Sequence, residues 1–320
     1  MPQDLDLGSE VERFLSFRPA GVRIHEKLDD FFSINRGDVV LLDGAHYVVS
    51  GTAKEKSFGL DDEPKYWVKY AYEAFTGKRK IIKLVYLEQF DLKYGEYIVR
   101  CFRSPAKEGR VLESVKGLEH FMQGRTVLVD ATNHIRLIDY IAGKTLFEIM
   151  VDSPESHERY FHESLPALLQ LFLPALKALS SLHSRGIRHG DVRSDHLILD
   201  KEMGKLRWID FDYDFIFNEA PFALDLLGVA DILSEMIGKG ERSFQVGNLD
   251  KEAAQRVKSL ERTDFSVVQP SRLMNWRKLY PYVPEKLNRV LMSFAAGAEV
   301  YYEAVDEILE DIGDAASLIG

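Results

Sequence analysis

One cysteine, Cys101, occurs in 320 residues. Its solitude excludes an intrachain disulfide and any multi-cysteine zinc centre, and it suits a reducing compartment. Positive charge is also scarce: 41 Lys plus Arg stand against 51 Asp plus Glu, a formal net charge of −10. That balance argues against a general nucleic-acid or anionic-membrane surface, both of which need positive patches. The sequence opens without a basic-then-apolar leader pattern. No window reaches roughly 18 uninterrupted apolar residues; the nearest, LPALLQLFLPALKALSSL, contains Gln170, Lys177 and two prolines. The expectation is therefore a cytoplasmic chain with no transmembrane segment and no nucleic-acid partner. Apolar residues at 46% and aromatics at 11% supply material for one large core or two smaller ones. At roughly 100–200 residues per domain, two is the natural number.

The text changes character along the chain. Residues 1–36 read as an acidic, partly helical extension. Residues 37–140 are strand-rich, with β-branched and aromatic runs such as DVVLLDGAHYVVS, YWVKYAYEAF, KIIKLVYL, TVLVDA and HIRLIDYI, cut by turns at Asp43-Gly44 and Thr76-Gly77. One helix interrupts them: Ser104 is a good N-cap, Pro105 takes the first helical position, and Val111, Val115, Leu118 and Met122 follow at helical spacing. Residues 141–320 turn helical, with predicted helices over 164–185 (ended by Gly186), 222–238 and 285–312. The fold class is thus α+β, a small β-rich lobe followed by a larger helical one, joined near Asp139–Gly143.

The stretch richest in chemistry is Ile187-Arg188-His189-Gly190-Asp191-Val192-Arg193-Ser194-Asp195-His196, followed by LRWIDFDYDF over 206–215. Two short hydrophobic strands, each delivering an aspartate, are what phosphoryl transfer needs: one carboxylate takes the proton of the attacking hydroxyl, the other holds a metal on the nucleotide phosphates. Isolated aspartates usually only cap loops; the joint context favours the chemical role. H-G-D-x-x-x-x-[N/H]-hydrophobic, with I-D-F-D nineteen residues on, resembles the catalytic loop and metal motif of the protein-kinase-like fold. It is most similar to the atypical branch of RIO kinases, aminoglycoside phosphotransferases and lipopolysaccharide kinases. RLIDYIAGKTL (136–146), with Asp139 and Ile141, resembles that family's hinge, and KIIKLVY (80–86) its lysine-bearing strand. The resemblance covers about residues 45–312 and implies a two-lobed phosphotransferase that binds ATP and Mg²⁺ or Mn²⁺ and acts on a hydroxyl-bearing substrate.

Within that resemblance Asp191 is the base and Asp210 the metal ligand. Lys83, flanked by apolar residues, is the phosphate-contacting lysine, in preference to Lys78 and Lys80 at a hairpin tip. Its carboxylate partner is Glu108, because an inward-facing residue should be followed by apolar ones. Glu108 precedes Val111, Leu112 and Val115, whereas Glu113 precedes Lys116, Gly117 and His120. SGTAKEKSFGL (50–60) stands where the family has its phosphate-cradling glycine loop. Gly51 and Ala53 are the candidate backbone contacts, with Ser57, Gly59, Lys54 and Lys56 nearby; the segment reads equally as an ordinary hairpin with exposed lysines.

His196 stands where the family usually has a metal-binding Asn. Imidazole suits softer metals than magnesium, so one metal, manganese, or a hydrogen-bonding role are all open. Arg193 takes the place of a lysine that steadies the transferred phosphate. Asp212 either assists the metal or caps the next turn, and His189 reads as a structural histidine. Gly190 replaces an arginine that senses activation-loop phosphorylation, and only twelve residues separate Asp212 from Asp225. Phosphorylation-switched activation is therefore not expected. The short segment points to a small molecule, a glycan or lipid headgroup, or an unusual protein site as phosphoacceptor. Residues 87–103 and 239–283 are the expected specificity elements. The alternative is a pseudokinase that binds nucleotide or scaffolds without phosphotransfer. A helical binding protein unrelated to kinases would have to explain the ordered motifs as accident.

Overall fold

The structure is a computed structural model that describes residues 6–55, 63–94, 97–128, 133–217 and 220–316. In chain order its first part supplies α1 (Leu7–Leu15), β1 (Ile24–His25), β2 (Val39–Leu42), β3 (Ala45–Glu55), β4 (Glu63–Glu73), β5 (Arg79–Lys83), β6 (Gln89–Tyr94), β7 (Tyr97–Arg103), α2 (Pro105–Ser114), β8 (Gly124–Leu128) and β9 (His134–Asp139). The second part adds β10 (Gly143–Thr145), α3 (Leu146–Val151), α4 (His157–Arg159), a π turn over Tyr160–Ser164 and α5 (Leu165–His183). There follow β11 (Leu197–Asp200), β12 (Lys205–Trp208), β13 (Tyr213–Ile216), α6 (Ala223–Ile237), α7 (Lys251–Arg256), α8 (Glu285–Met292) and α9 (Val305–Ala316). The class is α+β, compatible with a two-lobed fold.

The chain divides into two units. The first gathers residues 1–88, 103–118 and 122–141; the second gathers 89–102, 119–121 and 142–320. The insertion that sequence placed between the lysine strand and its helix forms the β6–β7 hairpin, and this hairpin folds with the second unit.

The first unit is built on a seven-stranded sheet in the order β1-β2-β3-β4-β5-β9-β8, antiparallel except for β1 on β2. Strand alternation sends Val40, Leu42, Tyr47, Val49, Ala71, Ile82, Leu84, Ile135 and Leu137 into one core. Val39 and Val48 face the other way and meet Leu7, Val11 and Leu15 of α1. Each such side chain contributes about 1.5–3 kcal/mol on burial, which fastens the N-terminal extension to the sheet. The helix predicted from Ser104 onward is shorter than its apolar spacing implied. It ends at Ser114, where Gln123 intervenes: its Nε2 donates to the Val115 and Leu118 carbonyls and its Oε1 accepts from the Gly117 amide.

In the second unit α5 carries the longest apolar face, with Leu165, Leu169, Phe172, Leu176 and Leu179 buried. Among the described residues, His157–His183 is the stretch long and apolar enough to suit a membrane span, yet α5 packs on α6, α9 and β12 in this unit. Trp208 of β12 is fully buried and donates its indole N–H to the Ala175 carbonyl, which fixes β12 against α5. The segment predicted helical over 285–312 is two helices, α8 and α9.

An aromatic cluster surrounds His157. The ring stacks on Tyr280 at 3.6 Å, accepts at Nδ1 from the Tyr282 hydroxyl (2.7 Å) and donates from Nε2 to the Ile237 carbonyl (2.8 Å). Burial pushes the imidazole down to about 4, with Lys239 adding to the effect and the Ile237 carbonyl and Asp250 opposing it. An unfolded imidazole titrates near 6.5, so in the window between the two values the unfolded chain holds the extra proton and acid favours unfolding. Lowering the pH from 7 to 5 is expected to cost about 2 kcal/mol through this residue. The check is urea unfolding of wild type and His157→Gln at both pH values, the wild type losing more; equal losses would contradict it.

Candidate active site

The first unit assembles a buried ion triad. Lys83 is the last residue of β5, between Ile82 and Leu84, which are both 0% exposed. Its Nζ lies 2.8 Å from Glu108 Oε1, and Arg136 Nε lies 2.8 Å from Glu108 Oε2. Two local causes produce this. Ser104 Oγ accepts from the Lys107 amide and Pro105 begins α2, setting its phase so that Glu108, Val111 and Leu112 face inward. The β5–β9 register then puts Lys83 opposite Arg136. Two like charges side by side on a sheet destabilise it unless a carboxylate sits between them, and Glu108 does so. Arg136 escaped the sequence reading, since its pairing with Lys83 follows from strand order alone. Its Nη1 donates to the Leu84 and His134 carbonyls.

The other first-unit candidates lie elsewhere on the sheet. Asp139 ends β9 and its half-exposed carboxylate pairs with Lys80 at 2.5 Å. Ile141 is buried, and the intervening Tyr140 ring lies under the Arg79 guanidinium at 3.6 Å. Gly51 and Ala53 belong to a strand rather than a loop. β3 runs on to Glu55, opposite Tyr70 at Gly51 and opposite Lys65 at Ala53, with register shifts at Val49/Gly51 and Thr52/Ala53. Backbone pairing with β4 outcompetes a loop there. Lys56, Ser57 and Gly59 lie outside the described residues.

In the second unit Asp225, fully buried on the first turn of α6, organises the segment over 187–196. It accepts hydrogen bonds from the amides of His189 (2.6 Å) and Gly190 (2.8 Å) and from His183 Nε2 (2.9 Å). Burial would raise its carboxyl, but these donors outweigh burial and hold it below the usual range. Gly190 has φ +92°, a region that side-chain-bearing residues avoid. Gly228 lets α6 approach closely: a Cβ there would sit 2.3 Å from the Val192 carbonyl oxygen. The His189 ring packs on Trp208 and Phe211, in keeping with a structural histidine.

Asp191, His196 and Asp210 come together. His196 Nδ1 lies 2.9 Å from the Asp191 carbonyl oxygen, and since that oxygen only accepts, Nδ1 carries the proton. The same ring is 3.5 Å from the Asp191 carboxylate, and Nε2 is 3.7 Å from Asp210 Oδ2. With Nδ1 so engaged, Nε2 is the ring nitrogen that faces the Asp210 carboxylate. Asp210 is held at φ +68°, which Asp tolerates better than most residues. Burial, with the nearby Asp210 and Asp195, pushes the Asp191 carboxyl above its ordinary value against the pull of His196 and Arg193.

Arg193 is engaged in a network that the sequence reading missed. Its Nε and Nη2 form a fork on Asp195 at 3.0 and 2.7 Å, and Arg242 donates to the same carboxylate at 3.0 Å. Arg242 also reaches Ser194 Oγ at 3.0 Å and Glu235 at 3.3 Å, stacking on the Phe147 ring at 3.7 Å. Burial alone would raise the Asp195 carboxyl, yet His196 and the two arginines hold it well below the carboxylate range. The segment after Asp212 is also tied down. β13 joins a three-stranded sheet in the order β13-β7-β6, Phe215 packs on Val99 and Cys101, and Arg188 pairs with Asp214 at 2.7 Å.

Among the described residues no group of three or more His, Cys, Asp or Glu forms a self-sufficient metal cluster. Magnesium and manganese on nucleotide phosphates need only one or two protein ligands. Asp210 with the His196 Nε2 lone pair fits that need, and the nitrogen donor suits manganese at least as well as magnesium.

No family model matches the chain. Over 112 residues it is 30% identical to a probable serine/threonine-protein kinase, fnkB, of Dictyostelium discoideum, covering 35% of this chain and 20% of that protein. These relatives support a protein-kinase-like family. A second from the same organism, the probable serine/threonine-protein kinase fnkE, is 28% identical over 108 residues, 32% of this chain and 8% of its own length. The probable serine/threonine-protein kinase KIN1 homolog of Encephalitozoon cuniculi is 21% identical over 171 residues, 52% of this chain and 28% of its own. The chain thus spans at most 28% of the length of these curated relatives.

Proposed function

We propose that the chain is an ATP- and metal-dependent phosphotransferase. The observation that carries this reading is the single imidazole of His196 facing the carboxylates of both Asp191 and Asp210. In the reaction the acceptor hydroxyl oxygen bonds to the γ-phosphorus, the bond from that phosphorus to the β,γ-bridging oxygen breaks, and ADP departs. The hydroxyl proton passes to Asp191. Asp210, with His196, would hold a divalent ion, whose chemistry would be charge neutralisation at the phosphates. His196 keeps Asp191 in place through the carbonyl bond, and Lys83, oriented by Glu108, contacts the α- and β-phosphates. The H-G-D and I-D-F-D pattern favours the atypical branch of the family. The segment after Asp212, fastened as a strand and by Arg188, favours an acceptor hydroxyl on a small molecule, a headgroup or an exposed protein site, without a phosphorylation switch.

The fork of Arg193 on Asp195 favours a second reading, a nucleotide-binding pseudokinase, because a guanidinium so engaged is withheld from a phosphate. Thermal unfolding with ATP plus Mg²⁺ or Mn²⁺ separates the readings, since ligand bound to the folded state raises the midpoint. At ATP near 100 times its Kd a stabilisation of about 2.7 kcal/mol is expected. That shift should fall away in Asp210→Ala, and the wild type should turn ATP over. A shift without turnover would favour the pseudokinase; no shift with either metal would dismiss both.

A further inference from the structure

A cavity of about 1170 Å³ opens in the second unit, and none of the residues from Asp191 to Asp210 lines it. One wall is aromatic, formed by His157, Trp276, Tyr280 and Tyr282. Tyr280 is only 4% exposed, yet its hydroxyl has no hydrogen-bond partner among the described residues. The neighbouring Tyr282 hydroxyl, by contrast, is satisfied by His157 Nδ1. A phenol oxygen without a protein partner, reaching into a cavity from an otherwise buried ring, offers a ligand a hydrogen-bond acceptor.

The charge around that hydroxyl sets the ligand's sign. Glu241 and Asp250 line the cavity and act on Tyr280, and Asp250 acts on Tyr282 and His157 as well. The cations of the wall are mostly engaged. Lys239 donates to the Glu155 carbonyl, and Arg256 donates to the Leu279 carbonyl and pairs with Glu252, while Lys251 is exposed. With its imidazole pushed down to about 4, His157 adds no positive charge at neutral pH. Aromatic rings beside carboxylates attract cations through both the ring quadrupole and direct charge.

We propose that this cavity binds an organic cation bearing primary ammonium or guanidinium groups, with the Tyr280 hydroxyl accepting an N–H and Asp250 and Glu241 offsetting its charge. The source is either a free polyamine or the Lys and Arg side chains of a peptide. The proposal stands apart from the phosphotransferase reading and does not depend on it.

Calorimetric titration of the full chain with spermidine, a tri-arginine peptide and inorganic phosphate tests it. Expected is one saturable cation site, weakened about threefold by Tyr280→Phe, which removes one hydrogen bond and keeps the ring. Asp250→Asn should weaken it about tenfold, with α7 intact because Asn caps a helix as well as Asp. Tighter binding of spermidine assigns the free polyamine, and tighter binding of the peptide assigns side chains; each supports the site. The proposal fails if neither cation binds, if phosphate binds in their place, or if both variants, with unchanged unfolding midpoints, bind as the wild type does.

Discussion

Asp191→Asn is expected to slow phosphotransfer by about 10²–10⁴-fold, the range for loss of a general base, with ATP affinity retained. Asparagine keeps the shape of the side chain and cannot take the proton. The His196 bond survives because it goes to the Asp191 backbone carbonyl. The pH profile of kcat carries a second signature. Only deprotonated Asp191 acts as the base, and burial raises its carboxyl above the ordinary 3.8, so the acid limb should fall at higher pH than for a free aspartate. Single-turnover phosphotransfer of variant and wild type across pH measures both. A variant as fast as wild type would remove Asp191 from the role of base.

Glu108→Ala should destabilise the first unit by about 3–5 kcal/mol, because it leaves Lys83 and Arg136 buried without their counter-charge. Lys83 and Arg136 are 5% and 1% exposed, so water cannot replace the carboxylate. The cost belongs to the broken triad rather than to its parts. Replacing all three residues by Met, Leu and Met should therefore cost less than Glu108→Ala alone, because paired desolvation disappears with the charges. Urea unfolding reports both. A small effect of Glu108→Ala, below about 1 kcal/mol, would mean that solvent or another group screens the site. On the proposed function, the triple variant should fold well and bind ATP more weakly than the wild type.

The helix bearing Glu108 was legible because local rules agree: a Ser104 cap, Pro105 at N1, and apolar residues three, four and seven positions on. The 3.6-residue period was enough to choose Glu108 over Glu113, and the 2.8 Å contact with Lys83 follows that choice. Apolar spacing carried the helix too far, since Gln123 supplies a cap from outside the repeat. The strand reading of β2, β4 and β5 rested on β-branched alternation and succeeded as far as alternation reaches. It stopped β3 too early, because pairing with β4 extends that strand through Gly51 and Ala53, residues of low strand propensity.

Charge partners show the same division. One cysteine, an excess of acid and the spacing of Asp191, His196 and Asp210 are properties of the sequence alone, and they bound the chemistry to be expected. Order along the chain could not pair Arg136 with Lys83, close Asp195 between Arg193 and Arg242, or bring β13 beside the hairpin of β6 and β7. Nor could it bury the Tyr280 ring while leaving its hydroxyl open to a cavity. These depend on strand order and on helices crossing at chosen points, where residues tens of positions apart become neighbours. Local propensity acts over a few residues, whereas the strength of a buried charge or hydroxyl is set by whatever the rest of the chain packs against it.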